Sequence, residues 1–160
     1  MNKEKLPYRQ STLAIVANND GRFLVVNKEV YEPDKWWSFP GGGVDEGETP
    51  EKAVMRELVE ELESEKFQII GKSKNKYQYE WPDHVIEKTF KEKGEYWRGT
   101  ELTQFWVKFN GIEDEVNPGD GIRTIKWVTR DELKDHLLFP NQLENAERVI
   151  HEFSEYLYRS

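Results

Sequence analysis

The feature that most restricts the fold is a glycine-rich turn joined directly to a helix-forming run, Pro40 to Ser64 (PGGGVDEGETPEKAVMRELVEELES). Three consecutive glycines allow a tight turn that residues with side chains cannot follow. Thr49 is a suitable N-cap and Pro50 is tolerated at the first helical position, so we expect a helix that begins there. The run ends in Glu63-Ser64, although a glycine is the usual helix stop.

The predicted helix carries three glutamates on one side. At about 100° per residue, Glu57, Glu60 and Glu61 lie within an arc of about 100°, where like charges repel one another. The neighbouring arc is apolar and is expected to pack on a sheet; it contains Val54, Met55, Leu58, Val59 and Leu62. A solvated acidic face is the ordinary explanation, but such faces usually place lysine at i+4, and here only Arg56 lies beside the cluster. Carboxylates with a carbonyl oxygen from the glycine turn would instead suit Mg²⁺ or Mn²⁺.

Composition limits the possible partners. The chain of 160 residues has no cysteine, which excludes disulfides and thiolate sites. It shows no apolar stretch long enough to span a membrane and no signal-peptide core, so we expect a cytoplasmic protein without a membrane partner. The formal net charge of −8 argues against broad binding to nucleic acid, and no DNA partner is expected. A phosphate substrate is compatible with this charge if divalent cations lie between carboxylates and phosphates.

The pattern along the chain predicts one mixed α/β domain over residues 1–160, because no repeat or break in composition appears. Two apolar strands flank a hairpin-type turn at Asn18–Gly21, and residues 67–81 suggest one long or broken strand. The charged segment 82–99 is predicted to be a surface loop. Later elements are two alternating strands, a short helix at Asp131–His136, and a final amphipathic helix with Asn141 as its N-cap.

The spacing around the glutamates resembles a known family pattern. Gly42, five residues, Glu48, seven residues and then Arg56-Glu57-Leu58-Val59-Glu60-Glu61 are similar to the Nudix box, G-x5-E-x7-R-E-U-x-E-E-x-G-U, where U is apolar. The departure is Glu63-Ser64 in place of the final Gly-U, which leaves open whether the helix stops there or extends through Glu63.

The resemblance implies a Nudix α/β/α sandwich, with a mixed β-sheet, the box on a loop and helix, and a C-terminal helix. It implies that Glu57, Glu60 and Glu61 bind Mg²⁺ or Mn²⁺ together with the Gly42 carbonyl. Arg56 would orient the glutamates by ion pairing, with Glu48 as a structural partner; a purely structural pairing of Arg56 with Glu48 is the alternative. The implied reaction is attack of water on a phosphorus of a nucleoside diphosphate linked to another group, with one carboxylate as base.

Segments outside the box indicate a narrower resemblance. Tyr8-Arg9 before the first strand, the lead-in WWSFPGGG and the segment YQYEWP are similar to bacterial RNA 5′-pyrophosphohydrolases and plant-type dinucleoside tetraphosphate hydrolases. Gln104 and Trp106 match half of a later motif in these enzymes. The implied substrate is a dinucleoside polyphosphate or a 5′-triphosphate RNA end.

Candidate substrate contacts follow from residue chemistry. Arg9 and Lys28 suit phosphates, and Tyr79, or alternatively Trp81 or Trp97, suits a base by stacking. Gln104 is a further candidate substrate contact from the motif match. A base outside the box is predicted at Asp120, with Glu113 and Glu115 as other acids in the same region.

Two other functions remain open on the sequence alone. The box reports the chemistry and not the leaving group, so the enzyme could instead hydrolyse nucleoside triphosphates, nucleotide sugars or ADP-ribose. A catalytically inactive nucleotide-binding module on the same fold is the second alternative.

Overall fold

A mixed sheet of six strands, counted within residues 2–158, which are the residues that the computed structural model describes, forms the centre of the molecule. The strands are β1 (Tyr8–Ala17), β2 (Phe23–Lys28), β3 (Phe67–Lys72), β4 (Tyr77–Glu80), β5 (Gly99–Phe109) and β6 (Ile122–Val128). Their order is β3-β5-β1-β2-β6, and β4 also pairs with β5. The β1–β5 pair is parallel, whereas the other pairs are antiparallel.

Helices cover both faces of this sheet. The described residues form three α-helices, α1 (Pro50–Leu62), α2 (Asp83–Lys93) and α3 (Gln142–Glu152), of which α1 and α3 pack on opposite faces. Leu58 of α1 belongs to a buried cluster with Val26 and Phe105, whereas Val149 of α3 belongs to a second cluster with Val25 and Trp106. Successive strand residues thus point to opposite faces, as the pleat of a strand requires. This confirms the predicted α/β/α sandwich with a mixed sheet.

The glycine-rich segment is part of the sheet. β1 and β2 pair at Ala17 and Phe23, and farther along residues 38–44, here named the glycine strap, run between them. The backbone N–H groups of Thr12 and Ala14 donate to the carbonyls of Gly42 and Pro40, both at 2.8 Å. Gly41 has φ 151°, and a Cβ on it would lie 2.1 Å from the Thr12 carbonyl oxygen. Only glycine permits this approach.

The segment predicted to be a surface loop contains α2, which corrects that prediction. Ile86 is fully buried, and the ring of Phe90, four residues later, stacks on Tyr96 with centroids 3.9 Å apart. Gly94 ends the helix with φ 77°. The apolar stripe is narrow and lies among charged residues, so the helical period of this segment is weak in the sequence. Residues 67–81, predicted to form one long or broken strand, form the broken alternative, with β3 and β4 as its two parts.

The C-terminal helix differs from its prediction in two details. Asn141 occupies the predicted N-cap position of α3, but it has a left-handed conformation and its side chain makes no capping hydrogen bond. The α-helix ends at Glu152 and a 3-10 segment follows, Ser154–Tyr158. Of the predicted domain over residues 1–160, Met1, Arg159 and Ser160 lie outside the described residues. Among the helices of the described part, none has the length and apolar character to cross a membrane.

Candidate active site

Helix α1 presents its carboxylates beside the glycine strap. The Thr49 hydroxyl accepts a hydrogen bond from the Lys52 N–H at 3.2 Å, and Pro50 occupies the first turn. Leu58 and Leu62 are fully buried against the sheet, whereas Val59 is 39% exposed. The apolar arc is therefore narrower than predicted.

The hydrogen bonds at the C-terminal end of α1 form without a glycine. Glu63 adopts the left-handed conformation itself, with φ 53° and ψ 40°, and its N–H donates to the Val59 carbonyl at 3.0 Å. The remaining carbonyls of the last turn accept hydrogen bonds from residues 117–120, here named the clamp loop. The three pairs are Asn117 N–H to Leu62 O (3.0 Å), Gly119 N–H to Glu61 O (2.8 Å) and Asp120 N–H to Glu60 O (2.9 Å). The helix consequently stops at Leu62 and does not extend through Glu63.

Glu63→Gly is expected to stabilise the protein by about 0.5–1 kcal/mol. A left-handed residue with a side chain costs about 1–2 kcal/mol, and the greater freedom of glycine in the unfolded chain offsets part of the gain. Urea denaturation of the two proteins measures the difference in the free energy of unfolding. Glu63→Ala, which retains the left-handed penalty, is the control. A Glu63→Gly protein no more stable than wild type would contradict this account of the helix end.

Arg56 holds several carboxylates at once. Its guanidinium forms two hydrogen bonds with Glu48, at 2.9 and 3.0 Å, and donates to Glu57 at 3.0 Å and Glu60 at 3.3 Å. A further bond of 3.0 Å reaches the Gly43 carbonyl on the strap. The bond from Arg56 lowers the pKa of Glu48 to about 2, so Glu48 is ionised at neutral pH. Arg56 therefore connects the strap, the box glutamates and Glu48.

Glu61 is the most buried of the three glutamates. It is 5% exposed, and its Oε1 accepts a hydrogen bond from the Gly41 N–H at 3.3 Å. Among the described residues its other oxygen, Oε2, has no hydrogen-bond partner. Burial raises the pKa of Glu61 to about 7, although the nearby charge of Lys28 acts in the opposite direction. Burial also raises the pKa of Glu57, and Arg56 opposes that shift.

Two of the three strap glycines, Gly41 and Gly42, differ in their carbonyl environment. The Gly42 oxygen accepts hydrogen bonds from the Thr12 N–H at 2.8 Å and the Thr12 hydroxyl at 3.0 Å. Both of its lone pairs are therefore engaged, which corrects the predicted role of Gly42 as the carbonyl ligand of a metal. The Gly41 oxygen instead faces Lys28, whose Nζ lies 3.2 Å away.

Gly42 has a steric role in the site. A Cβ on Gly42 would lie 2.4 Å from the carboxyl carbon of Glu57. The absence of a side chain therefore allows the Glu57 carboxylate to lie against the strap.

The arrangement fits a divalent metal after local side-chain movement. Within residues 2–158, no three acidic or histidine side chains converge as they stand to hold an ion. Glu57 and Glu60 are turned towards Arg56. The unpartnered oxygen of buried Glu61 is nevertheless the kind of group that a cation satisfies, because an ionised carboxylate is costly to bury alone. Carboxylate and carbonyl oxygens are also the ligands that Mg²⁺ and Mn²⁺ prefer.

Three of the predicted substrate residues border the strap or its neighbouring strands. The Arg9 guanidinium lies over the Trp97 ring, 5.5 Å from its centroid, and a Cβ on Gly43 would be 2.7 Å from Arg9 Nη2. Arg9 on β1 and Tyr79 on β4 are both register partners of Thr100, because β1 and β4 flank β5 on its two edges. Residues that are paired in this way have their side chains on the same face of the sheet. Tyr79 is 42% exposed. Lys28 lies at the Gly41 carbonyl, as described above.

Gln104 is not placed to bind substrate, which corrects that prediction. Its side chain is fully buried on the α3 face. It exchanges two hydrogen bonds with Asn145 of α3, at 2.9 and 2.7 Å, and donates a third to the Asn75 carbonyl at 3.0 Å. Gln104 therefore connects the segment between β3 and β4 to α3 by hydrogen bonds.

The acids outside the box occupy separate positions. Glu113 forms an ion pair with Arg22 at 2.7 Å. Arg22 lies just before the start of β2, about 20 Å along the strand from Lys28 at its other end. Glu115 accepts a hydrogen bond from Lys66 and another from the Ile112 N–H at 2.8 Å. These structural pairings argue against either acid as the distal base. Asp120 is exposed, and its backbone lies at the C-terminal end of α1.

Sequence reasoning missed two residues that build the site. Thr12 fixes the Gly42 peptide from a neighbouring strand, and no local pattern marks such a contact. Gly41 stands in the glycine triplet, but the sequence does not show which of the three glycines donates its N–H to Glu61.

Comparison with known proteins agrees with this geometry. The NUDIX domain family model matches residues 7–153. An RNA pyrophosphohydrolase of Sphingopyxis alaskensis is 34% identical over 155 residues, covering 94% of this chain and 95% of the relative. One of Rickettsia bellii is 32% identical over 155 residues, covering 92% and 91%.

Solved structures share the fold at low identity. The E. coli dihydroneopterin triphosphate pyrophosphohydrolase superposes with a TM-score of 0.70 at 18% identity, covering 91% of this chain and 99% of that one. A C. elegans Ap4A hydrolase gives 0.63 at 17% identity, covering 92% and 97%. The family match over most of the chain, together with the box geometry, shows that this protein belongs to the Nudix family of hydrolases.

Proposed function

We propose that this Nudix hydrolase uses Mg²⁺ or Mn²⁺ to hydrolyse a pyrophosphate bond at the 5′-triphosphate end of RNA, with dinucleoside polyphosphates as the second substrate class. The observation that carries the proposal is the buried Glu61 carboxylate, which has one unpartnered oxygen. It belongs to a Nudix box that departs from the family pattern only at Glu63-Ser64. Pyrophosphate hydrolysis in nucleotide or polyphosphate substrates is the chemistry of the family, which generally depends on a divalent metal. The RNA end is favoured because relatives that match most of the chain are RNA pyrophosphohydrolases.

The residues that would hold the ion are Glu57, Glu60 and Glu61, with the Gly41 carbonyl. When bound, a divalent ion neutralises phosphate charge and lowers the pKa of water. Arg56 holds Glu57 and Glu60 beside the strap, and both carboxylates would have to turn from Arg56 towards Glu61 to share an ion with it. One of the box glutamates, or Asp120, would act as the base that takes a proton from the attacking water.

Positive charge and aromatic surface beside the strap fit the rest of such a substrate. Lys28 at the Gly41 carbonyl and Arg9 against Gly43 can contact phosphates on either side of the scissile bond. Arg9 is held over Trp97, which limits the freedom of its side chain. Tyr79 offers an exposed ring on the same sheet face for a base.

We also propose that the protein is cytoplasmic and that residues 1–160 form one domain.

A panel of substrates tests the proposal. Wild-type protein with Mg²⁺, with Mn²⁺ and with a chelator is incubated with triphosphorylated RNA, diadenosine tetraphosphate, nucleoside triphosphates and ADP-ribose. We expect metal-dependent turnover of the first two, with the highest kcat/KM on the RNA. Turnover restricted to nucleoside triphosphates or ADP-ribose would reject the substrate class but retain the chemistry. No turnover with any of them, together with nucleotide binding, would favour an inactive binding module.

A further inference from the structure

The clamp loop contacts the turn of α1 that carries two of the box glutamates. Its N–H groups donate to the carbonyls of Glu60, Glu61 and Leu62 at 2.8–3.0 Å. A helix end normally leaves such carbonyls to water or to a glycine-based cap. Here a distant segment, more than fifty residues along the chain, supplies the donors. The position of Glu60 and Glu61 is thus set partly by residues 117–120.

The clamp loop is itself fixed to the strand that carries Lys28. The Gly119 carbonyl accepts a hydrogen bond from the Ile122 N–H at 3.2 Å, and the Gly121 carbonyl accepts one from the Glu29 N–H at 2.9 Å. Ile122 is the register partner of Lys28 across β6 and β2. The loop therefore connects the end of α1 to the strand end where Lys28 meets the strap.

Gly119 makes the closest contact in this connection. A Cβ on Gly119 would lie 2.1 Å from the Glu60 carbonyl oxygen and 3.1 Å from the Glu61 carbonyl oxygen. Backbone on both sides leaves no flexible side chain to move away, so an added methyl group must displace the loop or the helix end. Gly119 is not in a left-handed conformation, and hence any effect of alanine comes from this contact.

We propose that Gly119 is a positioning residue for the hydrolytic reaction: it lets the clamp loop hold the Glu60–Leu62 turn in the place that metal binding needs, next to the left-handed stop at Glu63. The inference rests on the metal role proposed for Glu60 and Glu61. Supports of metal ligands commonly change metal affinity by about 10–100-fold when they are altered.

Gly119→Ala and a matched control, Gly121→Ala, test the proposal. Gly121 has φ 73° and open space around it, so alanine there strains the neighbouring backbone without contacting α1. Mn²⁺ binding is measured by electron paramagnetic resonance without substrate, and thermal melting reports the fold of each variant. We expect about tenfold weaker Mn²⁺ binding in Gly119→Ala and less than about twofold change in Gly121→Ala. Turnover at saturating Mn²⁺ should fall with KM for substrate little changed.

A third variant distinguishes positioning from general destabilisation. Glu63→Gly combined with Gly119→Ala stabilises the helix end but leaves the contact at Gly119 in place. We expect this double variant to melt at a higher temperature than Gly119→Ala and to keep its weak Mn²⁺ binding; it also serves if Gly119→Ala alone does not fold. Equal Mn²⁺ affinities in Gly119→Ala and Gly121→Ala, or wild-type Mn²⁺ affinity in the stabilised double variant, would overturn the proposal. Wild-type protein that binds no Mn²⁺ and hydrolyses nothing would overturn the proposed function, a result that is distinct from either.

Discussion

Glu61→Gln is expected to reduce metal-dependent hydrolysis by about 10³-fold. The substitution keeps the size of the side chain but removes the negative charge that a divalent ion or an attacking water requires, and the loss of a base or metal ligand typically has an effect of this size. The measurement is kcat at saturating metal on the substrate that the panel identifies. Glu65→Gln, at an exposed position just beyond the helix, is the control. Unchanged turnover in Glu61→Gln would reject the site.

The same variant is expected to change how stability depends on pH. The pKa of Glu61 is about 7 in the folded protein, against an ordinary 4.5. Between these values the folded chain keeps a proton that the unfolded chain has lost, so the free energy of unfolding falls as pH rises through the window. The full penalty above pH 7 is about 3 kcal/mol.

Removing the ionisable group removes that penalty. With a chelator present, Glu61→Gln should be more stable than wild type at pH 8 by about 1–3 kcal/mol, with the difference shrinking towards pH 4. Urea denaturation at several pH values measures it. A difference that does not depend on pH would show that Glu61 titrates normally.

Arg56→Lys is expected to lower kcat/KM by about 100-fold although it preserves the charge. Lysine cannot reproduce the planar fork by which Arg56 contacts Glu48 twice while also reaching Glu57, Glu60 and the Gly43 carbonyl. Released from that fork, the two box glutamates lose their alignment with the strap, and misplacement of about 1 Å can cost 100-fold.

The control for this substitution is Arg130→Lys, in an ion pair with Glu147 at 2.8 Å on the protein surface. It should have nearly wild-type kinetics and stability, since exposed pairs contribute little. If Arg56→Lys loses stability but keeps its kcat/KM, then the pairing with Glu48 is purely structural, which is the alternative that the sequence left open.

The sequence predicted those features that depend on local spacing. The start of α1 and the common side of Glu57, Glu60 and Glu61 follow from residues within four positions of one another. The α/β/α order follows from the succession of apolar patterns and from the family resemblance. Each of these depends on helical or strand periodicity, which is a property of the chain itself.

The features that the sequence did not predict depend on contacts between distant segments. The Gly42 carbonyl is engaged because Thr12 on a neighbouring strand donates two hydrogen bonds to it, and Gln104 is satisfied in the interior because α3 supplies Asn145. The helix stop at Glu63 does not follow from local sequence, because the donors to the last carbonyls of α1 come from the clamp loop. Such contacts follow from the tertiary fold and leave no mark at the residue concerned.

The glycine strap has a consequence for how this protein folds. Because residues 38–44 fill the gap between β1 and β2, the sheet cannot complete its hydrogen bonding until the strap is in place. Catalytic loops usually belong to the least stable parts of a protein and open independently of the core. Here opening the loop would strip hydrogen bonds from two central strands. The active site and the hydrophobic core should therefore form, and be lost, as one cooperative unit.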